Sequence, residues 1–295
     1  MNCLIVVNGY QVAGGVTHQL KRYKEELSKR AITFDIAKNN EVLTLIGNYS
    51  IESKLPKYDF VLYLDKDKYV ARMLEKFGYR LFNSSAATEL CDDKLLTEIE
   101  LANHGILMPK TISAPLCYAD SGDREFVKKV ESELDYPIIV KECFGSLGKQ
   151  VYLAKNHQEL ASIYEKLKET PHLYQEFIET SKGVDIRIIV VGGRAIAWMK
   201  RMNDKSFKSN IAQGGHSEKI DLPQKYIEIA ELACKVLKLD YCGVDLLLGK
   251  IDSPVLSEVN SNAFFEGIES TTGVNVAGAY IDYIVKTIEG DNWYG

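Results

Sequence analysis

The chain has little cysteine, and none of it is spaced for a metal or a disulfide framework. The six cysteines (Cys3, Cys91, Cys117, Cys143, Cys234 and Cys242) are scattered, and no C-x-x-C pair occurs. Isolated cysteines of this kind act as core filler, argue against a structural zinc site and fit a reducing cytosol, so a cytoplasmic location is expected. No apolar run approaches the roughly 18 residues of a membrane span, and no membrane association is expected. The apolar start Met1–Asn8 lacks the basic flank and small-residue cleavage site of a secretory leader. A cationic excess is missing too: 36 Lys and Arg stand against 41 Asp and Glu, a net charge of −5, which is no nucleic-acid footprint. The Walker spacing G-x-x-x-x-G-K-[ST], the dinucleotide fingerprint and G-x-S-x-G are all absent, as are internal repeats and low-complexity tracts. The five histidines (His18, His104, His157, His172 and His216) show no ligand spacing. Nucleophilic side-chain catalysis therefore has no support. His216 alone stands out, because it follows Gly214-Gly215 in a long polar segment.

What is present is ordinary globular material: 295 residues, 46% apolar and 26% charged, enough for two or three lobes. The first lobe alternates strands (Leu4–Val7, Phe34–Ala37, Phe60–Leu64) with helices (Thr17–Arg30, Asp67–Phe77), which predicts a small parallel sheet. It ends near Asn83-Ser84-Ser85. A helix over Asp92–Asn103 follows, its acidic start suited to the positive end of a helix dipole. His104-Gly105 and Pro109 stop it. A middle lobe contains helix Arg124–Leu134, strands Ile138–Lys141 and Val151–Ala154, helix Gln158–Lys168 and strand Leu173–Ile178. The last lobe opens with strands Asp185–Val191 and Arg194–Arg201, joined by the two-residue hairpin signal Gly192-Gly193. The polar segment Asn203–Leu222, helix Gln224–Leu237, a second strand pair and helix Val274–Glu289 complete it. The expected class is α/β, passing to α+β in the C-terminal lobes, with units 1–86, 87–178 and 179–295.

The second strand pair, Gly243–Leu248 and Val255–Asn260, carries the strongest chemical signal. Glu258 and Asn260 are two apart and share one face of a strand. A turn centred on Ile251-Asp252 sets Asp245 opposite Glu258. Two carboxylates and a carboxamide in an apolar setting call for a cation, and an all-oxygen set suits magnesium or manganese.

Upstream, Lys141 ends an apolar strand just before Gly145-Ser146-Leu147-Gly148-Lys149. A lysine on a buried strand needs a partner, phosphate is a natural one, and glycines let backbone N–H groups approach its oxygens. An ordinary hairpin is the alternative. Lys94 is either a surface lysine or a second cation for the same phosphates. Glu176, Phe177 and Ile178 end a strand between two lobes, where a nucleotide base is well housed; an edge strand with an exposed glutamate is the alternative. Arg187 and Arg201 on neighbouring strands, beside Asp185, bind a substrate carboxylate or phosphate, or else form cross-strand salt bridges. Lys208, Asn210 and Gly214-Gly215 are candidate donors to a transferring phosphoryl group.

In this order, Lys94, Lys141 with its glycine loop, Gln175–Ile178, Asp185-Ile186-Arg187, Arg201, Asn210, Asp245 and Glu258-Val259-Asn260 resemble the ATP-grasp enzymes, and among them the RimK-like L-glutamate ligases. The resemblance covers about residues 83–290, and the N-terminal lobe resembles that family's Rossmann-like pre-ATP-grasp domain. It implies that ATP is the cofactor, with Lys94, Lys141, Gly145, Ser146, Gly148 and Lys208 at its phosphates. Glu176, Phe177 and Ile178 would hold the adenine, with Asp185 at the ribose or hinge. Asp245, Glu258 and Asn260 would hold two Mg2+ or Mn2+ ions, and Arg187, Arg201 and Asn210 would face the reacting carboxylate. It also implies carboxylate–amine ligation through an acyl phosphate, on small-molecule or peptide substrates, in a chain that could form homo-oligomers. A peptide-modifying or amino-acid-biosynthetic ligase, a phosphotransferase on the same fold and a non-catalytic nucleotide sensor are the rivals. Gln150, Lys208 and Ser261-Asn262-Ala263-Phe264 depart from the family pattern, the last beside the reaction centre. Asp245→Ala is expected to abolish turnover and leave the fold intact.

Overall fold

A computed structural model of the chain describes residues 1–10, 14–47, 49–118, 125–210 and 214–292. The first lobe runs β1 (Asn2–Val7), α1 (Gly14–Lys29), β2 (Thr33–Lys38), a small hairpin β3 (Thr44–Gly47) and β4 (Ser50–Ser53), β5 (Phe60–Leu64), α2 (Lys68–Phe77) and β6 (Leu81–Phe82). Strands β2-β1-β5-β6 form a parallel sheet in that order, as the alternation of apolar runs and helices predicts. Phe60 to Leu64 are all buried, the continuous apolar signature of a strand covered on both faces. Asp67 caps α2 by accepting from the Tyr69 and Val70 amides, and Gly78 ends it in the left-handed region. The hairpin β3–β4 and the two-residue β6 gave no readable signal in the sequence.

The single helix expected over Asp92–Asn103 is two: α3 (Ser85–Asp92) and α4 (Lys94–Leu101). Asp93 breaks the run because its extended backbone lets its carboxylate accept from the Leu95 and Leu96 amides, the geometry of an N-cap. Asp92 therefore closes α3 rather than opening α4, and it accepts from the Lys66 ammonium.

The middle lobe comprises β7 (Thr111–Ser113), α5 (Glu125–Glu133), β8 (Ile138–Glu142), β9 (Val151–Ala154), α6 (His157–Leu167) and β10 (His172–Glu176). Its antiparallel sheet has the order β7-β10-β8-β9. The helix start expected at Arg124 lies outside the described residues.

The last lobe contains β11 (Val184–Val191), β12 (Arg194–Met202), β13 (His216–Glu218), α7 (Gln224–Val236), β14 (Tyr241–Leu248), β15 (Pro254–Asn260), α8 (Glu266–Thr272) and α9 (Val276–Asn292). Its sheet is antiparallel, in the order β13-β12-β11-β14-β15. Gly192 and Gly193 both have positive φ (55° and 76°), the turn that matches strand twist in a two-residue hairpin. The polar segment after β12 is not structureless: β13 pairs with β12 and adds an edge strand. His216 sits exposed on it, paired with Met202, rather than in a site.

One core joins the first and last lobes. Tyr23 and Leu27 of α1 pack with Phe60 and Leu62 of the parallel sheet and with Phe265, Tyr280 and Ile281 beside α9. Burying an aromatic or branched side chain is worth about 1.5–3 kcal/mol, so this seam is firm. Ion pairs reinforce it: Arg22 donates to Glu269 at 2.9 Å and Arg30 to Asp282 at 2.7 Å.

Candidate functional site

The strand pair β14–β15 has the expected register at its chemical end: Asp245 pairs with Glu258 and Gly243 with Asn260. The route differs from a plain hairpin. The connection is a short helical turn over Lys250–Asp252, and a bulge after Asp245 shifts the register by one residue. Glu258 and Asn260 keep their shared face.

Around this pair lie two adjoining clefts. The first, about 890 Å3 in volume, is walled by Lys94, Lys141, the Gly145–Gly148 turn, Gln175–Ile178, Phe207–Asn210, Asp245 and Glu258. It therefore gathers most of the expected nucleotide residues, from strands of two lobes and the turn between β8 and β9. Lys141 reaches it from β8 and is only 8% exposed. Among the described residues its ammonium finds only long contacts with Ser257, 3.4 Å to the carbonyl and 3.5 Å to the hydroxyl. Burial pulls its pKa down, while the nearby Glu98 and Glu258 oppose the shift. A buried, under-bonded ammonium is poised for an anion. Lys94 donates to the Gly145 carbonyl at 3.2 Å and lies 3.8 Å from Glu258. Lys208, its pKa lowered by burial, donates to the Gly148 carbonyl at 2.6 Å. Two lysines thus hold the glycine turn down over the cleft. Gly145, Leu147 and Gly148 all have positive φ there, a conformation glycine adopts at no steric cost.

At the far end, Glu176 donates its amide to the Lys110 carbonyl (3.0 Å) and accepts from the Lys110 amide (2.9 Å). Phe177 meets Phe207 edge to face, with ring centroids 6.4 Å apart. Sequence reasoning missed one support of this wall. Gln175 donates to Glu98 at 2.6 Å and to Thr111 at 3.0 Å, which anchors Glu98, whose pKa burial raises. Nothing in the spacing of an amphipathic helix marks Glu98.

The second cleft meets the first at Ser146, Asn210 and Glu258. Arg187, Arg201 and Asn260 line it from the last lobe and Asn8, Gly15 and Asp65 from the first. Both arginines form the cross-strand salt bridges that were the alternative to substrate binding. Arg187 grips Asp245 through Nε and through Nη2 (2.7 Å). Arg201 grips Asp185 through Nε (2.7 Å) and also pairs with Asp245 (2.9 Å). Each guanidinium engages its aspartate along the Nε–Nη2 edge, and no described residue accepts from either Nη1. The fork geometry fixes both groups and leaves further donors at the cleft.

Two of the expected residues lie in buried ion pairs. Asp185, expected at the ribose or hinge, lines neither cleft, is 6% exposed, and accepts from Arg201 and the Ser209 hydroxyl. Asp245 is the shared counter-ion of two buried arginines, which hold its pKa down against the opposing effect of burial. Removing it therefore cannot leave the fold untouched.

For a hard divalent cation the free oxygens of this set are those of Glu258 and Asn260, because both Asp245 oxygens already accept from Arg187 and Arg201. No three His, Cys, Asp or Glu side chains cluster as a metal site among the described residues, but the present set is two carboxylates and a carboxamide. Glu258 has only the distant Lys94, and the Asn260 side chain has no hydrogen bond among the described residues, so oxygens are available on the shared face.

Comparison with known proteins identifies the family. Residues 91–284 match the RimK-like ATP-grasp domain. Beta-citrylglutamate synthase B of Danio rerio is 35% identical over 228 residues, covering 76% of this chain and 55% of the relative. The chain thus spans about half the length of that relative. A probable alpha-L-glutamate ligase of Maridesulfovibrio salexigens is 38% identical over 223 residues, 75% of this chain and 72% of the other. A crystal structure of a RimK domain ATP-grasp protein from Sphaerobacter thermophilus superposes with a TM-score of 0.71 at 17% identity, over 97% of this chain and 100% of that one. With the family domain spanning most of its length, the chain belongs to the RimK-like ATP-grasp family.

Proposed function

We propose that this chain is an ATP-dependent carboxylate–amine ligase that joins an amino acid such as L-glutamate to a carboxylate on a small molecule or peptide. The observation that carries the reading is the meeting of the two clefts: a lysine-lined phosphate cleft opens at Glu258, Ser146 and Asn210 onto a second cleft fitted with two rigid arginines. The relatives named for citrylglutamate synthesis and glutamate ligation support it.

In this reading ATP lies along the first cleft, its base against Glu176–Ile178 and its phosphates between Lys94 and Lys141. Asp245, Glu258 and Asn260 would hold Mg2+ or Mn2+, with two ions expected, which neutralise charge on the phosphates as the γ-phosphoryl group moves to the substrate carboxylate. The glycine turn, tethered by Lys94 and Lys208, keeps water from the acyl phosphate. Arg187 and Arg201 need no reorganisation to receive a carboxylate or the oxyanion of amine attack, because their aspartates already fix them. Loss of one such donor typically costs about 100–1000-fold in rate. Asn210 lines both clefts and adds a donor at the junction.

The test is ADP release by the purified protein with Mg2+, ATP, L-glutamate and a panel of carboxylates including citrate and N-acetylaspartate, with mass spectrometry of the product. An amide mass dependent on both partners is expected. A stable phosphorylated carrier without amide would make the protein a phosphotransferase, and no ADP release with any pair would end the ligase reading.

A further inference from the structure

The second cleft carries charges of both signs that the phosphate chemistry does not explain. Arg187, Arg201 and Lys66 line it together with three carboxylates, Asp65, Glu258 and Glu266. Asp65 is the unusual one. It follows β5 directly, at the C-terminal edge of the parallel sheet, where open α/β sheets present side chains to ligands. It is only 5% exposed. Its Oδ1 accepts from Asn8 Nδ2 at 3.0 Å and from the Lys66 amide at 2.7 Å. Its Oδ2 is enclosed and has no hydrogen-bond partner among the described residues. The adjacent Lys66, which also lines the cleft, donates its ammonium to Asp92 at 2.6 Å. A second acceptor shares the condition. Gln19, fully buried behind the cleft wall, donates to the Ala263 carbonyl at 2.9 Å and leaves its Oε1 unpaired.

A buried carboxylate oxygen without a donor is costly unless a ligand supplies one. The missing partner must be a donor and preferably a cation. An anion is repelled. A primary ammonium, with three N–H donors and one positive charge, supplies the donor and the charge that this oxygen lacks. The arginines of the same cleft suit carboxylates. The cleft as a whole is complementary to a zwitterion.

We propose that Asp65, oriented by Asn8, holds the ammonium group of a free amino acid and so sets specificity for an amino substrate; that this substrate is the amine partner of a ligation rests on the ligase reading above. Asp65 is thus a recognition group supplied by the first lobe to chemistry located in the last.

The experiment is calorimetric binding to the full chain with Mg2+ and a non-hydrolysable ATP analogue. L-Glutamate is titrated first and the other protein amino acids after it, each against its deamino analogue (glutarate for glutamate). Hydrogen bonds to a charged group predict that the wild type prefers its amino acid over the deamino compound by about 10- to 100-fold. Asp65→Asn should abolish that preference while its affinity for the ATP analogue stays within about twofold of wild type. Equal binding of the amino and deamino compounds by the wild type, binding of no amino acid, or an undiminished preference in Asp65→Asn would each overturn the proposal. The wild-type comparison decides the matter even if the variant fails to fold. Binding of an amino acid without ADP release on adding carboxylates would sink the ligase reading while supporting the role of Asp65.

Discussion

Replacing Asp245 with Asn separates what the residue does for the fold from what it does for the reaction. Its carboxylate closes a buried group in which two arginines, Arg187 and Arg201, are balanced by two aspartates, Asp185 and Asp245. All four side chains are at most 10% exposed. Asparagine keeps the shape but leaves the group with one uncompensated buried positive charge. Removing one partner of such a pair costs about 3–5 kcal/mol, a large share of the 5–15 kcal/mol that holds a typical domain together. Asp245→Asn should therefore unfold at distinctly lower urea concentration, and on the proposed function it should also lose turnover, because an oxygen proposed to hold the metal is gone. A second substitution distinguishes the two losses. In Arg187→Met/Asp245→Asn the remaining pair, Arg201 with Asp185, is again balanced. The double variant should be less destabilised than the sum of its two single variants, by a coupling of about 1–3 kcal/mol, and should recover none of the activity. Urea titration monitored by fluorescence gives the first quantity and ADP release the second. A single variant as stable as wild type would refute the buried-charge argument, and one with full turnover would refute the cation assignment.

Lys141→Met should weaken ATP binding strongly, read as a rise in KM for ATP. In the wild type, burial lowers the Lys141 pKa, so the ammonium that phosphate needs is lost at a lower pH than the usual value of about 10.4. ATP affinity should fall as pH rises through that alkaline window. In the unliganded protein the unfolded chain binds the extra proton there, so this group's contribution to stability should instead improve with rising pH; a flat ATP profile up to the ordinary lysine range would contradict the burial. Glu26 ties α1 to α9 through Lys29, Arg30 and Asn275, and, against the opposing effect of burial, those donors bring its pKa from 4.5 down to about 2. Glu26→Gln should cost roughly 1–3 kcal/mol at neutral pH. The deficit should shrink as pH falls from 4.5 toward 2, where the wild type loses the same charge, and a pH-independent difference in melting would count against it. Gly15→Ala would set a methyl carbon 2.5 Å from the Phe264 ring, forcing that ring to shift in the wall of the second cleft. The expected result is a higher KM for the acceptor with ATP binding unchanged; a change confined to ATP would mean that the ring does not border the acceptor.

Much of the site was legible because its signals are local. Alternation along a strand placed Glu258 and Asn260 on one face, and turn arithmetic placed Asp245 opposite Glu258. A glycine turn after a buried lysine pointed to phosphate. The parallel first sheet followed from apolar runs separated by amphipathic helices. The misses share a cause, which is long-range pairing. The resemblance sets Asp185 at the ribose or hinge, whereas the fold forms the cross-strand ion pair with Arg201 that the sequence leaves open as the alternative. Asp93 broke a helix that periodicity alone carried through, because one side chain satisfied two amides. Asp65 looked like any acid after a strand, and only the folded arrangement of Asn8, Lys66 and Asp92 shows that one of its oxygens is left without a donor.

The cations of the site fall into two kinds, and the difference is physical. Arg187 and Arg201 are locked by carboxylates along one guanidinium edge, so they remain charged and fixed whether or not a ligand is present. Burial works against the charge on Arg201, but Asp245 and Asp185 outweigh it and raise its pKa. Lys94, Lys141 and Lys208 are held mainly by carbonyls, and for Lys141 and Lys208 burial favours the neutral form. Neutral carbonyls release an ammonium far more readily than a paired carboxylate does. On the proposed function, the groups that would exchange a nucleotide in every cycle are the weakly satisfied ones, and the groups that would stand still while charge develops are the fully paired ones. On that reading a bound anion would offset the cost of the under-bonded lysines in the first cleft, and the paired arginines would keep their place beside the reacting carboxylate.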